Sequence, residues 1–499
     1  MHSLLSLLLL ASPASAEVPL PAYPDCGPDL VGCPSDGVGN WTYWGHTPAE
    51  LAPHVRPEEV PYGIGNAVLP AFRHGTGRWD RIVAIADSGI DWRESDLRFK
   101  VHLNAAELPL PQFADGSTAA THDLDGNGLV NLRDYAQDPR VQPDAGVPRT
   151  ADLLDPSDLI HTFSDGVDDD GNGYLDDIAG WDFFEGDNDP FATNLGNYGD
   201  HGTGVMQNAG GEGENGGRVG VCPNCAVLPI RIGDSFITTG AIAADGIRFA
   251  QASGASVLGM ALGVMTDPPA LQEAMAESWD RGMLIVVAAG DENSFHRNGP
   301  ATNKDNLVAY ALGADNREYT IATSFLRFVN CDNFGPRIDL GALTRTSCAT
   351  GAVSYIAGAA GLLFSLGDDL LDTPLHPGEV FQLLTQTAVD VDIPESRGPN
   401  PDPDLYPSHP GWDSHYGHGR MHLGAAAQAI VDGNIPPVAA FDSPGWFEFV
   451  PRMFVDDDFV QRGGVEELVI EGRISARGDW TATLEWGAGS DPQEWTTLA

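Results

Sequence analysis

From Arg81 onward the chain alternates short apolar runs with longer amphipathic or small-residue stretches. Ile82–Ala86, Ala255–Leu262 and Leu284–Ala289 read as strands, and Gly240–Ser253 and Leu271–Arg281 as helices. A run that is apolar throughout, such as Met283-Leu284-Ile285-Val286-Val287-Ala288, fits a strand buried on both faces, since a half-exposed strand would alternate. This strand–helix alternation predicts an α/β fold with a mainly parallel central sheet covered by helices on both faces. The segment Ile356-Ala357-Gly358-Ala359-Ala360-Gly361-Leu362-Leu363 reads as a helix whose small residues allow close approach to a sheet or another helix.

The pattern is interrupted in several places. Residues 17–78 are rich in Pro, Gly and Trp with little periodicity, and predict an irregular N-terminal arm. The acidic stretch from about Gly116 to Asp189 reads as an insertion carrying its own loops. Beyond the Pro436-Pro437 linker, Glu467–Arg473 and Trp480–Trp486 alternate like antiparallel strands, predicting a small β-rich C-terminal domain over 438–499. The chain ends at Ala499 soon after a strand pattern, which leaves this domain open to being incomplete. At the other end, the apolar run Leu4–Ala11 and the small residues Ser12-Pro13-Ala14-Ser15-Ala16 match a signal peptide, residues 1–16, cleaved after Ala16. A secreted protein, extracellular or periplasmic, is expected. No later stretch approaches the ~18 to 20 uninterrupted apolar residues of a membrane span, so none is expected.

Charge sharpens this picture. The 499 residues include 71 acidic and 26 basic side chains, a formal net charge of −45, with 42% hydrophobic residues to form a core. That excess argues against nucleic acid and anionic membrane surfaces as partners. It suits a salty or calcium-rich medium, and the concentration of acid between Asp123 and Asp189 points to metal sites. Six cysteines fit an oxidising compartment, and their spacing suggests Cys26–Cys33, Cys222–Cys225 and Cys331–Cys348. Cys222-Pro223-Asn224-Cys225 lies in a turn before the strand Ala226–Ile232. It is not at a helix start that would lower a thiol pKa, so a structural staple is preferred to a redox motif. No second such pair exists to complete a zinc set.

Candidate chemistry begins at Ile82-Val83-Ala84-Ile85-Ala86-Asp87-Ser88-Gly89, which puts a carboxylate at the C-terminal end of a buried strand, where α/β sites assemble. His201-Gly202-Thr203-Gly204-Val205 follows, and then the small-residue helix. A similar His74-Gly75-Thr76-Gly77 precedes Asp87 and reads as a loop. In this order, Asp, His, small-residue helix, the segments resemble the subtilase family of serine proteases. Met283–Gly290 is similar to the family's strand and turn leading to the oxyanion hole, and Glu379–Leu384 to the helix after the nucleophile helix. Tyr416-Gly417-His418-Gly419-Arg420-Met421-His422 is similar to its closing Gly-x-Gly-Arg turn. The resemblance runs from about Trp79 to Ile430 and implies a peptidase domain over 79–430 with a three-layer subtilisin-like fold. It further implies that Asp87 orients His201, which acts as general base toward a hydroxyl at the mouth of the last helix. A serine-type endopeptidase acting on peptide or protein, as a monomer, is the implied activity.

Four departures from the family fall in one pocket. Aligning the small-residue helix places Thr350, not serine, at the nucleophile position. Its β-methyl restricts χ1. Ser354 falls one turn too deep, and Ser347 lies upstream. The oxyanion position holds Asp291 in Ala289-Gly290-Asp291, and an ionised aspartate accepts but does not donate. The substrate strand reads Gly259-Met260-Ala261-Leu262-Gly263, without the family's two polar side chains. The segment from Asn333-Phe334-Gly335 to Thr350 is short. Together they predict weak or lost activity, with a pseudoprotease that binds a peptide or partner protein through the former cleft as the alternative.

Calcium is the expected cofactor. Asp123-Leu124-Asp125-Gly126-Asn127-Gly128-Leu129-Val130-Asn131-Leu132-Arg133-Asp134 matches an EF-hand loop. Asp123, Asp125, Asn127, Asn131 and Asp134 are its side-chain ligands, and Leu129 supplies the seventh-position carbonyl. A second loop repeats the first half with Asp168, Asp170, Asn172 and Tyr174. Its twelfth position is Ala179, so Asp176 or Asp177 must close the site, and Asp177 is the candidate. Asp-rich loops of this kind in subtilases look like structural calcium sites.

Overall fold

The computed structural model of the chain describes Thr42 and residues 65–498, apart from 144, 148–153, 197, 213–218, 296–297, 313–330, 345–347, 402–405, 444–468 and 488–493. The predicted signal peptide, Cys26, Cys33 and most of the predicted arm lie outside the described residues. In chain order the strands of the main body are β1 (Ile82–Asp87), β2 (Trp181–Asp182), β3 (Val227–Arg231), β4 (Ile237–Thr238), β5 (Ala255–Met260), β6 (Gly263–Val264), β7 (Leu284–Ala288), β8 (Leu307–Leu312) and β9 (Leu340–Leu343). Seven of them form one sheet in the order β2-β3-β1-β5-β7-β8-β9, with every pair parallel. Strands β1, β3, β5, β7, β8 and β9 are buried at every residue, as their predominantly apolar sequences favour; Asp87, Arg231 and Ser256 are the buried exceptions in β1, β3 and β5. β4 and β6 form a separate short parallel ladder beside it.

The helices are α1 (Val68–Phe72), α2 (Pro156–Phe163), α3 (His201–Gly210), α4 (Gly240–Ala252), α5 (Pro269–Asp280), α6 (Ala349–Leu370), α7 (Pro377–Gln386) and α8 (Leu423–Val431). A Cβ on Gly361 of α6 would lie 2.7 Å from Val83, and one on Gly259 would lie 2.8 Å from Ile85 and 3.4 Å from Ala357 of α6. Helix α4 instead meets Ile230 and Ile232 through Gly246, and Ile230 pairs in register with Ala86. Alternate strand residues point to opposite faces, so α6 and α4 cover opposite faces of the sheet, giving three layers.

Helix α6 has 22 residues, far more than the predicted Ile356–Leu363. By length and composition alone it is long and apolar enough to cross a membrane. The window concerned is 94% buried inside the protein, which marks a core helix. Its glycines permit this. A Cβ on Gly358 would lie 2.6 Å from the Ala209 carbonyl of α3.

Two further predictions are adjusted. Within the predicted acidic insertion, Trp181 and Asp182 form an edge strand of the main sheet, held by a buried Asp182–Arg231 ion pair at 2.6 Å. In the C-terminal region, β10 (Val438–Ser443) pairs antiparallel with β11 (Glu471–Ser475), and β12 (Glu485–Trp486) with β13 (Thr496–Thr497). The predicted strand 480–486 survives only in its last two residues. Just before it the chain turns toward the body, where Arg477 pairs with Glu379 of α7 at 2.6 Å and donates to the Thr373 and Pro374 carbonyls.

Candidate functional site

Asp87 ends the central strand β1, and His201 opens α3 close by. His201 Nδ1 lies 2.7 Å from Asp87 Oδ1. Asp87 is fully buried, while the His201 side chain keeps 18% exposure. Glycine after the histidine is obligatory for this approach, because a Cβ on Gly202 would lie 2.5 Å from the Gly89 carbonyl and 3.1 Å from Asp87 Cβ. Ser88 braces the junction. Its hydroxyl accepts the Gly202 amide at 3.0 Å and donates to the Gly199 carbonyl at 3.2 Å. Burial works against an imidazolium at His201, but the adjacent Asp87 carboxylate, with Asp291 and Asp200 behind it, outweighs that and raises its pKa above the ordinary value. Phe236 packs edge-to-face with the imidazole, ring centroids 5.0 Å apart.

Thr350 is the second residue of α6 and half-buried. Ser354 is fully buried, and its hydroxyl donates to the Gly351 carbonyl at 2.6 Å, so it serves the helix itself. Ser347 lies outside the described residues. Asp291 stands at the start of α6, where its Oδ1 accepts the Ala349 amide at 3.2 Å. The surrounding protein desolvates this carboxyl and raises its pKa. Glu292 adds to the effect, while the Ala349 hydrogen bond and His201 oppose it. Asn293 occupies the adjoining turn. It adopts φ of 48°, its amide donates to the Cys331 carbonyl at 3.0 Å, and its Oδ1 accepts the Tyr406 hydroxyl at 3.3 Å.

The buried Asn333, noted in the sequence only as a landmark, organises this turn. Its Oδ1 accepts the Glu292 and Ser294 amides at 3.2 and 3.1 Å, and its Nδ2 donates to the Ala289 carbonyl at 3.3 Å and to Glu292. The disulfide Cys331–Cys348, with Cα atoms 5.8 Å apart, ties the same segment to the N-cap of α6. Cys222–Cys225, 5.3 Å between Cα atoms, closes the turn before β3. Both pairings match the predicted set. Gly259 faces the core between β1 and α6, and Ala261 is fully buried, so neither position carries a polar group toward a substrate.

The two acidic loops fold alike. Asp123 Oδ1 accepts the Gly126 and Asn127 amides, and Oδ2 that of Gly128. Asp168 does the same for Gly171, Asn172 and Gly173. Carboxylate oxygens of Asp123, Asp125 and Asp134 lie within 4.8 Å of one another, as do those of Glu107, Asp168 and Asp170. Asp176 turns away to accept the Asp165 and Gly166 amides, both at 2.8 Å. Asp177 faces the second loop. It accepts from Asn104 at 2.8 Å and Asn172 at 3.0 Å, and its carboxyl is pushed up to about 7, chiefly by burial. Asn104 and Glu107 carry no motif and were not foreseen.

The arrangement thus supplies an imidazole oriented by a buried carboxylate and electrostatically coupled to Asp291 at the start of α6, together with two clusters of converging carboxylates. The model of the subtilase family matches residues 80–325. Thermitase of Thermoactinomyces vulgaris is 30% identical over 38% of this chain and 68% of its own length. The halolysin-like extracellular serine protease Nep of Natrialba magadii is 29% identical over 44% of this chain and 40% of its own. Among solved structures, a mutant of the protease domain of PatA superimposes with a TM-score of 0.43 and 18% identity, over 72% of this chain and 98% of that one.

Proposed function

This chain belongs to the subtilase family of serine proteases, and from that membership we propose that it is a secreted, calcium-binding member whose endopeptidase activity is weak or lost. In the reaction this site is suited to, His201 Nε2 takes the Thr350 hydroxyl proton as the oxygen attacks a peptide carbonyl carbon. Asp87 holds Nδ1–H and so fixes the tautomer. The carbonyl electron pair moves onto oxygen, and the imidazolium then protonates the leaving amine. A donor must meet the new oxyanion. The observation that carries the reading is the carboxylate of Asp291 at the start of α6, coupled electrostatically to His201, where that donor belongs.

The remaining parts of the reading are a signal peptide over 1–16, an arm over 17–78, a peptidase domain over 79–430 and a β-rich domain over 438–499. The resemblance to an extracellular relative and the strong negative charge support a secreted, monomeric protein with no nucleic-acid partner. Calcium fits both loops, because their donors are all oxygens, as a hard cation requires. Bound there, it would neutralise converging carboxylates and stiffen the acidic segment. The second reading, a silent binder of peptide or protein through the former cleft, is favoured by Asp291 and by the apolar setting of Gly259 and Ala261. A fluorophosphonate probe in calcium buffer tests the choice. Absence of label at Thr350 supports lost activity, and stoichiometric, Thr350-dependent labelling refutes it.

A further inference from the structure

We propose that Glu107, which belongs to neither loop motif, is a direct ligand of the second calcium site, so that this site is built from two separated segments of the chain. The proposal rests on the calcium reading of the Asp168 loop. Glu107 is only 4% exposed. One of its oxygens, Oε1, accepts the Asp169 and Asp170 amides at 2.9 and 3.1 Å. The other, Oε2, is buried without any hydrogen-bond partner. A carboxylate oxygen removed from water and left unpaired is costly. A carboxylate oxygen of Glu107 lies within 4.8 Å of carboxylate oxygens of Asp168 and Asp170, a gathering of like charges that is unfavourable unless a cation sits among them.

The first loop needs no such help, since its twelfth residue, Asp134, already joins Asp123 and Asp125. The second loop has Ala179 at that position, fully buried and without a donor. Glu107 supplies the missing carboxylate from the 3-10 turn Ala105–Glu107. Asn104, which caps that turn, donates to both Asp170 and Asp177 at 2.9 and 2.8 Å. The same turn thus provides a ligand and the group that orients two others. A calcium ion bound there would clamp residues 104–107 to 168–177, whereas the first site closes within its own loop.

The test uses the full chain, calcium titration calorimetry, and tryptophan-sensitised terbium luminescence, with Trp181→Phe identifying the part excited through Trp181, whose ring lies 5.0 Å from that of Tyr174 in the loop. Glu107→Gln keeps an acceptor for the two amides but removes the charge. It should weaken one of two calcium sites about tenfold or more, a loss that even outer-shell partners of a metal can cause, and cut the Trp181-excited signal equally. Asp134→Asn should affect only the other site. Glu107→Asp, the reserve if Glu107→Gln does not fold, should weaken the same site to a lesser degree. Retained affinity in Glu107→Gln, with loss in Asp168→Asn, would overturn the role of Glu107 and leave the calcium reading standing. Unchanged affinity in both variants would overturn the two together.

Discussion

On the proposed assignment of Thr350 as nucleophile and Asp291 at the oxyanion position, efficient catalysis should require two changes made together, Thr350→Ser and Asp291→Asn. Asp291 contributes acceptors at the start of α6, where a developing oxyanion needs a donor. Loss of one such donor costs about 10² to 10³ in turnover, or roughly 2.7–4 kcal/mol, a range measured in a member of this family. An ionised carboxylate adds repulsion to that loss. At Thr350, the extra methyl forces a rotamer compromise of about 0.5–1.5 kcal/mol, on the order of two- to tenfold. Repairing Thr350 alone leaves the larger defect, and repairing Asp291 alone supplies a donor to a hindered nucleophile. Members of a catalytic unit do not add, so each single variant should hydrolyse peptides near background. The double variant should exceed Thr350→Ser by about 10² or more, and Asp291→Asn by at least the roughly two- to tenfold of the rotamer compromise. Asparagine can still accept the Ala349 amide through its own oxygen, so the turn held by Asn333 should survive, and circular dichroism would check this. The assay is hydrolysis of a fluorogenic peptide with calcium present. If the unmodified protein cleaves casein at ordinary protease rates and Thr350→Ala abolishes cleavage, the reasoning fails.

Further expectations concern stability. Gly358→Ala would place a methyl 2.6 Å from a backbone carbonyl and should destabilise by about 1–3 kcal/mol despite better helix propensity. Gly204→Ala, with nothing within 4 Å, should be neutral or stabilising by up to ~1 kcal/mol, and equal melting shifts for the two would refute the packing argument. Calcium should raise the melting temperature, and chelation should open residues 116–189 to proteolysis. Equal melting with and without chelator would count against both loops. Burial pushes the Asp413 carboxyl up from 3.8 to about 6, against hydrogen bonds from the Tyr416, His415 and His409 amides. The unfolded chain loses this proton first, so the group's contribution to stability falls between those pH values, by up to about 3 kcal/mol, and is flat above them. Asp413→Asn should remove that slope from urea melts taken across the range, and an unaltered slope would exclude Asp413 as its source.

What was readable beforehand follows the range of the interactions. β1 and β7 announce themselves because both faces are covered, so β7 is apolar throughout and β1 is apolar up to Asp87. β2 does not, because two residues in an acidic stretch join the sheet through Arg231, far along the chain. β11 is exposed at every residue, and its bounds depend on pairing with β10 rather than on its own pattern. Asp87 was legible as a carboxylate ending an apolar strand, and His201 through its place in the order Asp, His, small-residue helix. Glu107 and Asn333 were not, since their partners lie 62 and 41 residues away and no local spacing marks them.

Acidification offers an apparent way around the defect at Asp291, since a protonated aspartic acid could donate to the oxyanion. The geometry argues against it. His201 must be neutral to act as base, and its pKa is raised, with burial outweighed by Asp87, Asp291 and Asp200. Asp291 must be protonated to donate, yet His201 favours its ionised form. With a single proton between them, mutual attraction places it on the imidazole, giving the pair in which neither group can do its work. Lowering the pH far enough to protonate Asp291 also protonates His201, and raising it to free His201 ionises Asp291. Any residual hydrolysis by the unmodified protein should therefore lack an acidic optimum. The Thr350→Ser, Asp291→Asn variant carries no such conflict, and its kcat/KM should simply rise with pH through the His201 titration. An acidic optimum in the unmodified protein that disappears in Asp291→Asn would show that the proton resides on Asp291 instead, and the conflict argued here would not exist.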